Sequence, residues 1–222
     1  MKLSKRLKTI HDLLPNVSGV AADVGSDHGK LIISLFLNKK IKKGYAIENK
    51  LGPFNRLVQE LTANNIKNNE IEALLSDGIS ELPDDVNQVI VAGMGGSLIV
   101  NILKKDVSRL ENVEWIIVDP HNAVSDVRKE ITNLGYSIYD EEIIFEDNIY
   151  YEIILFKKGK SKELNDKELK FGPVLLNKKT DAFISKYKDE MKKIRDMIDN
   201  PNIPSERKET LKHEIKMIEE IL

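Results

Sequence analysis

Between residues 20 and 156, short unbroken apolar runs alternate with stretches in which apolar positions recur every three or four residues. Unbroken runs suit strands buried on both faces of a parallel sheet, and the wider spacing suits the helices that cover it. The pattern predicts strands over 20–24, 43–47, 71–75, 88–92 and 115–118, with 136–145 and 150–156 as a closing pair. Helices are expected between them over 31–37, 53–64, 97–104 and 125–134; in the second, Phe54, Leu57, Val58 and Leu61 form one stripe. An opening helix should be capped by Ser4, carry Leu7, Ile10 and Leu14 on one face, and stop at Pro15.

The polar stretch 159–165 reads as a boundary, and after it the pattern is helical only. Phe183, Tyr187, Met191, Ile194 and Ile198 keep helical spacing, as do Leu211, Ile215, Ile218 and Leu222 after the break Asn200-Pro201-Asn202-Ile203-Pro204. Ser205 is placed to cap the second of these helices, and the short connection favours an antiparallel, coiled-coil-like hairpin. The expected division is therefore an α/β domain over 1–158 and a helical domain over 159–222.

Composition narrows the chemistry. The 222 residues are 41% hydrophobic and 32% charged, the balance of a soluble globular protein. With no cysteine, disulfides, cysteine-ligated zinc, iron–sulfur clusters and a thiol nucleophile are excluded. Four scattered histidines give no metal spacing, and no metal is expected. No apolar stretch is long enough to span a bilayer, and the first residues lack a signal-peptide hydrophobic segment, so a cytoplasmic protein without membrane contact is expected. The net charge of −2 hides an asymmetry: residues 1–156 carry 17 Lys and Arg against 23 Asp and Glu, whereas 157–222 carry 17 against 13. A basic tail is compatible with nucleic-acid contact, although solvated lysines would look the same.

The most informative stretch is Ala22-Asp23-Val24-Gly25-Ser26-Asp27-His28-Gly29, where the first strand ends and a helix begins. Ligand backbone approach is easy at Gly25 and Gly29, and the amides that follow can meet an anionic group. A dinucleotide fits poorly. The glycines are spaced G-x-x-x-G, and Asp23 and Asp27 would oppose a pyrophosphate. A zwitterionic amino acid joined to a sulfonium suits the loop better, since a carboxylate can meet the ammonium while amides meet the carboxyl. Glu48, at the end of the second strand, can accept from both ribose hydroxyls, and Asp77-Gly78, after the third, can meet an adenine amine with Ile79 as packing. All three acids sit at strand C-termini, where open α/β sheets bind ligands, and together they indicate S-adenosyl-L-methionine.

The fourth strand runs into Ala92-Gly93-Met94-Gly95-Gly96-Ser97, a run short enough of side chains for a ligand to approach its backbone; a plain tight turn with Met94 in the core is the alternative. Asp119-Pro120-His121-Asn122 invites comparison with the D/N-P-P-aromatic motif of amino-group methyltransferases. That motif belongs after the fourth strand, however, and the second proline and the terminal aromatic are absent.

Taken together, Ser4-Lys5-Arg6-Leu7, the Ala22 to His28 loop, Glu48 with Gly52-Pro53, Asp77-Gly78, Ala92-Gly93-Met94-Gly95-Gly96, Tyr151-Glu152-Ile153 and Phe171-Gly172-Pro173 resemble the bacterial tRNA (adenine22-N1)-methyltransferase family nearly end to end. The resemblance implies a class I, Rossmann-like, seven-strand methyltransferase domain, a C-terminal helical hairpin, and methyl transfer to an adenine in the tRNA D-arm. The chain departs from the family where H-A-Y-L-P is replaced by His28-Gly29-Lys30-Leu31-Ile32 and Q-P-N by Asp119-Pro120-His121-Asn122. The expected cofactor set is Asp23, Gly25, Ser26, His28, Glu48, Asn49, Asp77, Gly78, Ala92 and Gly93. Asp27, Gly93, Met94, Gly95 and Asn122 are assigned to methyl transfer, with backbone carbonyls of 93–96 offered to the adenine N6 amine. Arg6, Lys30 and His121 are assigned to tRNA, and a monomer or weak dimer is expected. Two other classes use the same acidic set: a methyltransferase for a small molecule or protein, and a non-catalytic RNA-binding module on the same fold.

Overall fold

The computed structural model describes residues 2–16, 19–160 and 162–222. In chain order the elements are α1 (Lys5–Leu13), β1 (Gly19–Val24), α2 (Lys30–Leu37), β2 (Ile41–Glu48), α3 (Leu51–Ala63), β3 (Ile71–Leu75), β4 (Gln88–Met94), α4 (Gly96–Lys105), β5 (Trp115–Pro120), α5 (Val124–Asn133), β6 (Tyr136–Glu146), β7 (Ile149–Lys158), α6 (Asp166–Phe171), α7 (Pro173–Lys178), α8 (Asp181–Asp199) and α9 (Ser205–Glu219). The strands form one seven-stranded sheet in the order β3-β2-β1-β4-β5-β7-β6, parallel except at β7. This is the class I methyltransferase arrangement that the motifs imply.

Burial on both faces explains why the central strands read as continuous apolar runs. Every residue of β1 is buried; Val20, Ala22 and Val24 join the core beneath α4 and α5, and Ala21 joins the one beneath α1, α2 and α3. Strand order reverses between β1 and β4, which opens a crevice at their C-terminal ends, the position where such sheets take ligands. At the sheet edge Asp147 and Asn148 both have positive φ, the geometry of a two-residue turn whose twist matches a hairpin, so β6 and β7 join directly.

Ser4 caps α1 as expected, accepting from the Leu7 amide at 3.2 Å. Two tail expectations are corrected. Ser205 is the first helical residue, with Pro204 in the cap position and no side-chain capping bond; the extended backbone of Pro204 (φ −57°, ψ 146°) supplies the entry one residue earlier. The helix ends at Glu219, before the apolar spacing would reach Leu222; Leu222 is exposed and Ile221 is buried instead.

The tail also holds two short helices, α6 and α7, that the apolar spacing did not reveal. Its core, built from Phe171, Leu175, Phe183, Tyr187, Ile194, Leu211, Ile218 and Ile221, includes Ile143 of β6. Beneath that core lies Arg128 of α5, fully buried. Its guanidinium donates to Glu141 (2.8 Å) and Glu152 (2.6 Å) and to the carbonyls of Leu169 and Lys170. Glu141 accepts from the Val174 amide at 2.9 Å, and Lys186 of α8 pairs with Glu152. Gly172 turns between α6 and α7 at φ +84°, where a Cβ would stand 2.6 Å from the Glu141 carboxylate. Only glycine fits both the backbone and the space.

Candidate active site

Two cavities open along the crevice and meet at Gly25 and Asp27. The smaller, about 100 Å3, is lined by Arg6 and Leu7 of α1 together with Asp23, Ser26, His28, Lys30 and Ala92. The larger, about 330 Å3, is lined by Glu48, Asn49, Pro53, Ser76, Asp77, Gly78, Met94, Leu98 and Ile102 among others. One cavity is small and densely charged; the other is roomier and has an apolar wall.

The loop between them is held by its own backbone. Gly25 and Ser26 amides donate to the Ile47 carbonyl at 2.9 and 3.2 Å, and the Asp27 amide donates to Glu48 Oε1 at 2.5 Å. Gly25 sits at φ +71°, and a Cβ there would lie 2.2 Å from Met94 Cε, so the loop is bare backbone where the cavities join. Asp23 is buried and accepts from the Ser26 hydroxyl at 2.8 Å. Burial pushes its carboxyl up to about 6, with the Glu48 charge adding to the effect and Ser26 and Arg6 opposing it. Burial likewise raises Glu48, against the pull of the Asp27 amide. Neither carboxylate forms an ion pair with a described residue. Asp77 lies at the larger cavity with its carboxylate paired to Lys105 at 2.9 Å.

The loops after β4 and β5 are lashed together beside the cavities. The His121 amide donates to the Met94 carbonyl at 2.9 Å, and Asn122 Oδ1 accepts from the Gly96 amide at 3.0 Å, capping α4. The Gly95 carbonyl accepts from the first turn of α4. Of the carbonyls in this run, those of Met94 and Gly95 thus already accept bonds within the fold, and a carbonyl oxygen keeps a second lone pair for a ligand donor. His121 and Asn122 are exposed on the rim and line neither cavity.

Three residues beside the cavities carry contacts to which the sequence reading gave no role. Asp119, fully buried, accepts from Arg6 Nη1 at 2.6 Å; burial raises its carboxyl and Arg6 opposes the rise. Glu146, at the end of β6, accepts from the amides of Lys5 and Arg6, at 2.5 and 3.0 Å, and so anchors the start of α1. Tyr151 of β7 lies under the Arg6 guanidinium. Arg6 and Tyr151 stood inside matching motifs, but nothing local names their partners, which are far away in the chain. Among the described residues no cluster of His, Asp and Glu is placed to hold a metal, and no helix is long and apolar enough to cross a membrane.

Comparison with known proteins converges on one group. The model of the tRNA (adenine(22)-N(1))-methyltransferase family matches residues 21–220. A tRNA (adenine(22)-N(1))-methyltransferase of Bacillus subtilis is 30% identical over 197 residues, covering 86% of this chain and 82% of the relative. A candidate tRNA (m1A22) methyltransferase of Streptococcus pneumoniae, solved with S-adenosyl-L-methionine, superposes with a TM-score of 0.91 at 30% identity over the full length of both chains. The M. capricolum TrmK, solved with S-adenosyl-homocysteine, superposes with a TM-score of 0.87 at 26% identity, covering 99% of this chain and 97% of that one.

Proposed function

The chain belongs to the tRNA (adenine(22)-N(1))-methyltransferase family, and on that premise we propose how its two cavities divide the work of methylating adenine N1 in tRNA with S-adenosyl-L-methionine. The carrying observation is the meeting of the cavities at Gly25, where the wall is bare backbone and the buried acids Asp23 and Glu48 have no ion-pair partner among the described residues. Buried carboxylates without counter-ions are costly unless a ligand supplies the donors. An ammonium and two ribose hydroxyls are such donors, and a sulfonium adds positive charge beside them, so the residues present fit the cofactor.

In this reading Asp23, with Ser26 orienting it, receives the ammonium in the smaller cavity, and Arg6, His28 and the start of α2 face the carboxyl. Glu48 takes the ribose hydroxyls, and Ser76, Asp77, Gly78 and Ile102 enclose the adenine. When bound, the cofactor supplies an electrophilic methyl group. Adenine N1 carries a lone pair at neutral pH, so the protein needs no strong base; it must extract the base, aim N1 and exclude competing orientations. Asn122 serves by holding the loop after β5 to the start of α4, and Asp27 borders both cavities at the place where the methyl group would be presented.

The basic tail is read as an antiparallel helical hairpin that holds the tRNA body, with Lys30 near the acceptor site. The enzyme is placed in the cytoplasm with its substrate, as a monomer or weak dimer. The test is incubation of unmodified tRNA with methyl-labelled cofactor followed by nucleoside analysis. The expected product is 1-methyladenosine at position 22; label on protein or small molecules with none in tRNA would defeat the reading.

A further inference from the structure

The turn Asp119-Pro120-His121-Asn122 lacks an aromatic residue in sequence, and the fold brings one to it in space. β7 runs antiparallel to β5 with Val118 opposite Ile154; continuing that register sets Tyr151 opposite His121. The two rings meet edge-on, with centroids 6.4 Å apart. The Arg6 guanidinium lies over the Tyr151 ring, 5.5 Å from its centroid, and is fixed at its other side by Asp119. Arg6 also borders the cofactor: it lines the smaller cavity with Asp23 and Gly25, and a Cβ on Gly93 would stand 3.0 Å from its Nη1. Tyr151 is therefore one side chain away from the place where the methyl group is presented, on the rim from which a polynucleotide must approach. Its ring is half-buried, and its contacts include the Arg6 guanidinium and the His121 ring.

We propose that Tyr151 is the stacking shelf for the target adenine, an assignment that rests on the methyltransferase reading above. A base drawn out of its helix loses its stacking neighbours, and a sequence-tolerant replacement is an aromatic face. The planar guanidinium over the ring occupies the slot such a base would take, and Arg6 withdraws from that face when the base arrives while keeping its ion pair with Asp119. Stacking fixes the plane of the adenine, so that only movement within that plane remains to aim N1.

The test compares wild type, Tyr151→Phe and Tyr151→Leu in single-turnover methyl transfer at saturating tRNA and cofactor, with cofactor affinity and thermal stability measured in parallel; Tyr151→Met, closer in volume, replaces the leucine variant if that fails to fold. A second readout uses tRNA carrying 2-aminopurine at position 22, whose fluorescence is quenched by stacking. The expected result is a loss of about tenfold or more in the aliphatic variants, a rate within about twofold of wild type for Tyr151→Phe, unchanged cofactor affinity, and quenching by the aromatic forms only. Wild-type rates in the aliphatic variants, or an equal loss in Tyr151→Phe, or a parallel loss of cofactor affinity, would each overturn the shelf while leaving the enzyme reading standing. If wild type itself transfers no methyl group to position 22, the enzyme reading fails and the shelf falls with it.

Discussion

Carboxylates are buried to similar depth in two regions of the sheet, and their surroundings are opposite. On the β1–β2 side Asp23 and Glu48 have no ion-pair partner among the described residues, and burial holds both above the usual carboxylate range. On the β6–β7 side Glu152 is equally buried, yet Lys186 and Arg128 hold it below that range despite its burial. Glu141, raised by burial, shares Arg128 and the Val174 amide. A buried charge whose partner is built in belongs to the architecture, while one whose partner is missing is waiting for a ligand. The same residue type thus marks the tail junction in one region and the proposed cofactor site in the other.

The contrast is broken most severely at Arg128. Arg128→Met should leave Glu141 with no cation to share and Glu152 with Lys186 alone, at a cost of about 3 to 5 kcal/mol in global stability. Adding Glu141→Gln to that variant should recover part of the loss, because the stranded charge is then gone. Urea titration followed by circular dichroism reads both; a single variant as stable as wild type would show that the junction is not held by this network. On the other side Glu48→Ala should leave stability nearly unchanged and weaken S-adenosyl-L-methionine binding by about 1.5 to 3 kcal/mol, through loss of the acceptor for the ribose hydroxyls. Calorimetric titration decides it, and tight binding by the variant would remove Glu48 from the site.

The two regions also differ in how far they can be read from the chain. Ser26 and Asp23 are three residues apart, and Asp27 meets Glu48 across one βα unit, so a local motif plus strand spacing is enough to draw the loop proposed to hold the cofactor. Arg6 meets Asp119, and Glu146 meets the start of α1, across more than a hundred residues; those pairs exist only once strand order puts β5, β7 and β6 beside α1. Arg128 lies on a helix whose apolar stripe predicts its position but gives no reason to bury a guanidinium. That reason is the tail packed above it, including α6 and α7, which are too short to show a helical period. Ser205 was misplaced for a simpler cause, since a proline before it can supply the cap conformation without any side-chain bond.

The finest probe of the contrast is proton binding at Asp23. Its folded carboxyl titrates at about 6 against an ordinary value of 3.8, so between those values the folded protein keeps a proton that the unfolded chain has released. From this group alone, the free protein loses stability as pH rises from about 4 to about 6, and nothing further changes above that. Ligand binding runs the other way, because an ammonium selects the carboxylate form. S-adenosyl-L-methionine affinity should therefore fall about tenfold between pH 7 and pH 5, the proton now competing for the site. Glu48, also raised by burial, titrates in the same direction, so the assignment rests on Asp23→Asn: that variant should bind more weakly at pH 7 and lose most of the remaining dependence down to pH 5. If the variant keeps the full wild-type slope, the ammonium is met by another group and Asp23 is buried for the loop's sake alone.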